Sequence, residues 1–590
     1  MAIALGDSDQ QVYEFDNYRL DGLKRILFKD GEIVHLSPKA FDTLLLLVEN
    51  HGRIVGKDFL IEKLWPDTFV EEINLMVQIS SLRKILGEKK GEHRYIVTIP
   101  KRGYRFVGKV RNPPAVEDRQ SLAKNVRPPS TAITSLAVLA FQSVGPQSAE
   151  NYLGSGIADA LITRLSRLKQ ITVHSSSAIL KYLNPTNDPL TAGLQLNVDA
   201  LLIGTILQSD SRVRLKIQLI RTQDGVTLWA DKFDEDFTNI FALEDRISEQ
   251  VAESLELKLS GNDQQQLINK ATQNPYAYQL YIKGRYFCEK RKESEMKKAI
   301  NCFREAIALD STYALAYAGL ADAYLLLGEY LFLSPQESFP LAKEMAQKAL
   351  ELDPGLAEAH AALGDIKYFY DWNAVEAEKE YKRAIEIKPN YATAHIYYGW
   401  FLMIEERFEE AMGEFLKAQM FDPFSMTVKA SFAVLHYVRN EYDLAIETLC
   451  EVEEMDPNLA HTHNYLGLAL AKKGRYKDAI KEFKTTLSEH KQQGLALLGY
   501  TYAISGNRKE AQRVLNQLKE MSTHRYVSPS ILALIFSGSG EIDLAFEVLN
   551  QAVEERSARL QFMRVDPAMH NLRADTRFQK LLRAIESNKL

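Results

Sequence analysis

The sequence is poor in cysteine. Cys288, Cys302 and Cys450 are its only three, they lie far apart, and no CxxC pair is present. They therefore read as small buried hydrophobes in a reducing compartment. There is also no apolar run near the roughly 18–20 residues that a bilayer requires; the longest candidates, 44–48 and 132–141, are core-length. The opening MAIALGDSDQ carries no basic stretch of a secretory signal, so a cytoplasmic location is expected, with no membrane partner. Charge of one sign is lacking too. Lys and Arg number 72 against 78 Asp and Glu, a net of −6 over 590 residues, and taken whole that argues against a nucleic-acid binder. What is present is ordinary for globular protein, 46% hydrophobic and 25% charged, in a chain long enough for about four units of roughly 150 residues.

The average charge conceals a division. Residues 1–72 hold 8 basic and 14 acidic side chains, whereas 73–112 hold 10 basic and 2 acidic. Basic charge concentrated in one short stretch is what a local phosphate-binding surface needs. A stretch with few large apolar residues follows at 111–131, with Pro113 and Pro114, then Pro128 and Pro129. It reads as an extended linker and domain boundary.

Residues 132–260 read as an α/β domain. Strand-like runs occur at 133–141, 171–175, 200–207, 213–220 and 226–233, with turn residues Asp210, Ser211, Asp224 and Gly225 between the last three. Helical apolar spacing covers 152–168 and 240–259. From about 275 the chain is helical and repeats itself every 34 residues. Pro389, Pro423 and Pro457 share that spacing, as do Ala411, Ala445 and Ala479; Gly399, Ala433 and Gly467; and Phe415, Leu449 and Phe483.

These columns resemble the tetratricopeptide repeat. One unit reads His463, Leu466, Gly467, Ala479, Phe483; another reads His395, Tyr398, Gly399, Ala411, Phe415, Ala418, Pro423. Small residues let the two helices of a hairpin approach, and proline ends the second helix. About eight repeats are expected over 275–560, with 561–590 as a capping segment. The resemblance implies a solenoid that binds a protein partner along a concave groove. By repeat register the candidate groove positions are Asp322, Asp365, Tyr368, Trp400, Tyr437 and Asn464.

Residues 10–110 begin with short extended runs. A first helix is predicted from Ser37 and Pro38, with a core face of Phe41, Leu44, Leu45 and Val48. A second starts near Lys57 and runs to Leu64 and Trp65, where Pro66 stops it. The third spans about 71–86. Its Leu75, Ile79, Leu82 and Leu86 recur at helical spacing and face the core, while Asn74, Gln78, Ser81 and Lys84 lie opposite, flanked by Val77 and Arg83. That outer face has no acid. Asn and Gln pair with adenine edges, and Arg and Lys hold phosphates. A hairpin follows, YIVTIPKRGYRFVGKV, with Lys101 and Arg102 on a tight turn suited to the minor groove or the DNA backbone.

The stretches LSPKAFDTLLLL, NLMVQISSLRKILG and IVTIPKRGYRF resemble the winged helix-turn-helix domain of OmpR/PhoB-type response regulators and CadC/ToxR-type regulators. By position the resemblance implies base reading by Asn74, Gln78 and Ser81, and phosphate or minor-groove contact by Arg83, Lys84, Lys101 and Arg102. Response regulators carry a phosphoacceptor receiver ahead of this module, and CadC-type proteins a transmembrane helix after it. Neither pattern is seen here, so the relation to the phosphorelay is one of family. The middle domain is similar to the N-terminal domain of TolB.

No catalytic signature stands out. Gly52 to Lys57 is one residue short of a P-loop, Gly154 and Gly156 lack the third glycine of a dinucleotide loop, and His463 of the pair His461 and His463 sits at a packing position of the repeat. No cofactor, metal site or enzymatic activity is expected. The fold expected is multidomain α+β: an N-terminal winged helix, an α/β middle domain and a C-terminal all-α solenoid. The function expected is a bacterial DNA-binding transcription regulator whose repeats receive a signal or partner. RNA polymerase and a second copy of the chain are further candidate partners. The alternative is a repeat scaffold whose winged helix has been turned to protein contacts.

Overall fold

The computed structural model describes residues 12–22, 26–29, 32–34, 36, 38–64, 75, 79, 82–83, 85–88, 94–99, 103–111, 133–144, 152–166, 168, 170–174, 189–196, 198–209, 212–255, 271–423, 425–457 and 459–587. They belong to two compact units, Met1–Ser130 and Thr131–Leu590. The linker expected at 111–131 lies outside the described residues except for Arg111.

The first unit holds, in chain order, strands β1 (Val12–Phe15), β2 (Tyr18–Asp21), β3 (Ile26–Lys29), β4 (Glu32–Val34), β5 (Val55–Gly56), β6 (Ile96–Ile99), β7 (Gly103–Phe106) and β8 (Val110–Arg111). One antiparallel sheet runs β4-β3-β2-β1-β8 and a second β5-β7-β6. In sequence, helix Pro38–Glu49 lies between β4 and β5, and helix Lys57–Leu64 between β5 and β6. Phe41, Leu44 and Val48 of the first are buried as its apolar spacing predicts, and Leu45 is partly so. The pairing of β8 with β1, through Glu14 with Arg111 and Phe15 with Val110, returns the chain to its start.

The second unit opens with β9 (Ser135–Val138), β10 (Gln142–Ser143), β11 (Thr172–His174), β12 (Ala200–Ser209), β13 (Arg212–Arg221) and β14 (Thr227–Asp236), in the order β11-β9-β12-β13-β14 with β10 beside β12. β11, β9 and β12 are parallel, and β12 to β14 antiparallel. Alternation along β13 buries Val213, Leu215, Ile217 and Leu219. Helices Tyr152–Leu165 and Ile240–Ser254 share the core of one sheet face, while helix Pro189–Leu196, which the sequence reading did not contain, packs Ala192 and Leu196 with Ala137 and Leu201.

Among the described residues, sixteen helices from Pro275–Glu289 to Ile542–Glu554 pair as eight antiparallel hairpins. The glycine column of the repeat has a direct cause. A Cβ at Gly364, Gly399 or Gly467 would sit 2.4 Å from the ring of Tyr381, Phe415 or Phe483, the aromatic residue on the second helix of the same hairpin. A second device recurs three times. His395 Nδ1 meets Glu414 at 2.6 Å and its Nε2 meets the Pro389 carbonyl at 2.8 Å; His463 does the same with Glu482 and Pro457 at 2.8 Å each, and His360 with Glu380 and Pro354. The imidazole thus ties the second helix of a hairpin to the turn that precedes the first.

The winding brings the first three hairpins against the last three. Arg525 pairs with Glu293 at 3.0 Å, Lys292 pairs with Glu489, and Arg556 Nη1 donates to the Tyr370 carbonyl at 2.8 Å. No helix among the described residues is long and apolar enough to cross a membrane.

Candidate nucleic-acid interface

The third helix of the first unit is described at Leu75, Ile79, Leu82, Arg83 and Ile85. Leu75, Ile79, Leu82 and Leu86 are buried at 3% exposure or less, so the inner face is the one its spacing predicts. Asn74, Gln78, Ser81 and Lys84, and the hairpin tip Lys101 and Arg102, lie outside the described residues.

Arg83 takes a different place from the expected one. Its Nη2 donates to the Ile96 carbonyl at 3.0 Å and to Thr98 Oγ1 at 2.8 Å, and Nε lies 3.5 Å from Glu88. The side chain braces the third helix against β6. An arginine with its fork turned onto its own hairpin is not a free phosphate anchor.

The hairpin of β6 and β7 is fixed by close packing. Gly103 has φ +144°, and a Cβ there would fall 1.9 Å from the Val55 carbonyl oxygen, so only glycine lets β7 lie against β5. Tyr104 and Phe106 are buried. Tyr95 donates its hydroxyl to Asp16 Oδ2 at 2.9 Å, and Arg94 reaches the same oxygen at 2.8 Å, which holds the β1–β2 turn to the base of the hairpin. Burial, then the bond to Asp16, pushes the Tyr95 phenol above its usual range.

Comparison with known proteins follows the same division. Residues 31–106 match the family of transcriptional regulatory protein C-terminal domains. Residues 132–250 match the second domain of HilA/YgeH-like transcriptional regulators, and 289–328 and 431–493 match tetratricopeptide repeats. The transcriptional regulator HilA of Salmonella typhi is 24% identical over 571 residues, 95% of this chain and 98% of HilA. This chain is a HilA-like transcriptional regulator with an OmpR/PhoB-type DNA-binding domain. The transcriptional regulatory protein KdpE of Mycobacterium tuberculosis is 31% identical over 104 residues, 18% of this chain and 46% of KdpE. Among solved structures, the DNA-binding domain of E. coli CadC is 26% identical, covers 18% of this chain and 99% of its own, and has a TM-score of 0.16.

In this HilA-like regulator most of the expected groove positions are internal. Asp365, Tyr368, Tyr437 and Asn464 are exposed by 7% or less. The Tyr368 hydroxyl donates to Glu405 at 2.7 Å, which also receives Arg564; Tyr437 donates to Asp566 at 2.9 Å; Trp400 stands 6.1 Å from Phe562 and donates its indole N–H to Ser431. Residues 561–566 of the chain itself therefore occupy the surface these three were expected to offer a partner. Asp365 accepts from the Tyr381 hydroxyl inside its own hairpin, and burial raises its carboxyl well above the usual range. Asp322 accepts from Tyr397 at 3.1 Å, and Asn464 donates to Gln493 at 3.3 Å. Register locates the first helix of each hairpin, yet the pitch of the winding decides whether its inner face stays open.

Other motifs resolve into packing. Gly154 and Gly156 lie inside helix Tyr152–Leu165, not in a loop, and a Cβ at Gly156 would meet Ile282 at 2.1 Å. His461 packs against Tyr465 at 4.7 Å, whereas His463 faces Glu482, with Glu453 at 3.9 Å. Glu453, His463 and Glu482 are close enough to share a metal ion. However, the same histidine brace recurs at His360 and His395, which accounts for Glu482 without one.

Proposed function

We propose that the first unit reads duplex DNA through the outer row of its third helix, with Asn74, Gln78 and Ser81 at base edges and Lys84, Lys101 and Arg102 on phosphates. The observation that supports it is the Arg83 brace. It holds the helix rigidly to β6, the strand leading into the cationic tip, so the two surfaces move as one on a groove. Arg83 then positions the hairpin and leaves phosphate contact to the lysines and Arg102.

The repeat array receives a protein partner. RNA polymerase, or a second copy of the chain on paired half-sites, is the first to test, and no catalytic step is part of this reading. The regulator then works in the compartment that holds its DNA.

Binding of the full chain to genomic duplex fragments, followed by fluorescence as salt is raised, tests the proposal. The affinity should fall steeply with salt, and Lys101→Ala with Arg102→Ala should lower the slope by about one per lost contact. A salt-independent affinity, or an unchanged slope in the double variant, overturns it and favours the scaffold reading.

A further inference from the structure

The histidine brace of the repeats accounts for Glu482, but not for Glu453. His463, on helix Ala460–Lys472, is 4% exposed, and Glu482, on helix Tyr476–Thr485, is 7% exposed. Glu453 belongs to helix Tyr442–Met455 of the hairpin before. Its carboxylate stands 3.9 Å from His463 Nδ1, where Glu482 stands at 2.8 Å. One ligand atom from each of the three lies within 4.8 Å of the other two.

The two other braces lack this third member. Ten residues before the histidine they have Leu350 and Ile385, so neither offers a second carboxylate. Each of their carboxylates is matched by a lysine instead: Lys367 Nζ donates to Glu380 and Lys417 Nζ to Glu414, both at 2.7 Å. Three residues after Glu482, where Lys417 follows Glu414, stands Thr485, and its hydroxyl donates to the Glu482 backbone carbonyl. Among the described residues no lysine or arginine is within ion-pair distance of Glu453 or Glu482, and Lys481 acts on Glu453 from farther off. The third brace thus has one acid more and one lysine less than its counterparts.

The ring of His463 is already oriented for a metal. Its Nε2 lies 2.8 Å from the Pro457 carbonyl oxygen, which can only accept, so that nitrogen carries a hydrogen. Nδ1 faces two carboxylate oxygens, which also only accept, and a cation must stand among them. A proton on Nδ1 serves Glu482 alone and leaves one of the two negative charges unmatched. A divalent cation serves all three donors and balances both carboxylates. A ring N–H held by a backbone carbonyl is the arrangement that orients metal-ligating histidines. Ligands of a tetrahedral zinc with bonds near 2.1 Å stand about 3.4 Å apart, a spacing between the 2.8 and 3.9 Å found here.

We propose that Glu453, His463 Nδ1 and Glu482 bind a divalent transition cation of the zinc class, with water completing the coordination. Imidazole with two carboxylates favours zinc over magnesium, which takes oxygen ligands and keeps several waters. The ion joins the second helix of the fifth hairpin to both helices of the sixth.

Calorimetric titration of the full chain, first dialysed against a chelator, with Zn²⁺ and separately with Mg²⁺ tests this. Zn²⁺ should bind saturably and raise the thermal midpoint. Glu453→Gln should weaken Zn²⁺ binding by at least the roughly tenfold that loss of a supporting partner costs, whereas Glu454→Gln, at the exposed neighbouring position, should leave it unchanged. Glu453 stands outside the bond between His463 and Glu482, so its variant keeps the metal-free midpoint, and loss of binding there is loss of the site. Thr485→Lys supplies the lysine that Glu414 has and should weaken Zn²⁺ as well. Absence of saturable Zn²⁺ binding, Mg²⁺ binding as tight as Zn²⁺, or Zn²⁺ binding as strong in Glu453→Gln as in the parent overturns the proposal.

Discussion

The Tyr278 hydroxyl donates to Glu244 Oε1 at 2.6 Å, across the boundary between the first repeat helix and the α/β layer. Glu244 also receives Arg164 at 3.0 Å, and Arg164 reaches Asp245. The carboxylate is 1% exposed. Two sheet-covering helices and the first repeat helix thus share one buried polar network inside the unit Thr131–Leu590. Tyr278→Phe should cost about 1.5–3 kcal/mol, the range for a hydrogen bond to a charged group. Arg164→Ala should cost about 3–5 kcal/mol, because it strands a buried charge. Denaturant unfolding of the two variants checks both.

The same network carries a pH signature. Burial pushes the Glu244 carboxyl up to about 7 from an ordinary 4.5, against the pull of Arg164. A raised acid favours the folded state most below its unfolded value and loses that advantage as pH rises toward the folded one. Relative to Glu244→Gln, the parent should therefore lose stability between about pH 4.5 and 7 and level off above. Thermal midpoints of the pair across that window decide it.

His463 shifts in the opposite chemical class. The hydrogen bond to Glu482 raises it above the ordinary 6.5, with burial opposing. Its contribution is complete below pH 6.5 and falls as pH rises through the folded value. The stability difference between the parent and His463→Gln should shrink as pH is raised above neutral, as read by midpoints at each pH.

Gly156 tests the contact between helix Tyr152–Leu165 and the first repeat. Alanine in a helix interior ordinarily gains up to about 1 kcal/mol over glycine. Here a Cβ would stand 2.1 Å from Ile282, so Gly156→Ala should instead destabilise by about 1–3 kcal/mol. Adding Ile282→Ala should recover part of the loss, and a double-mutant cycle measures the recovery.

Gly103 tests the wing. Alanine there meets the Val55 carbonyl oxygen at 1.9 Å, a backbone atom that cannot turn aside. Gly103→Ala should part β7 from β5, lower the melting temperature of the first unit and weaken DNA binding together. A DNA titration beside a thermal melt reads both.

Much of the winged helix was legible because its core is periodic: Leu75, Ile79, Leu82 and Leu86 can face only one way on a helix. The 34-residue repeat was legible because small residues recur at one position of it, and at Gly364, Gly399 and Gly467 only glycine fits beneath the aromatic ring of the second helix. The role of Arg83 was not legible, since a basic residue beside a recognition row reads alike whether it points to DNA or back at Ile96.

The sequence by itself determined the local elements and their order: alternation made β13, helical spacing made the third helix, and the period made the hairpins. Tertiary structure alone decided what those elements face. Tyr368, Trp400 and Tyr437 hold the right register for an open groove, yet the winding lays residues 561–566 across them. The physical reason is that periodicity encodes which side of a helix is apolar. The curvature that accumulates over eight hairpins sets which distant segment comes to cover it.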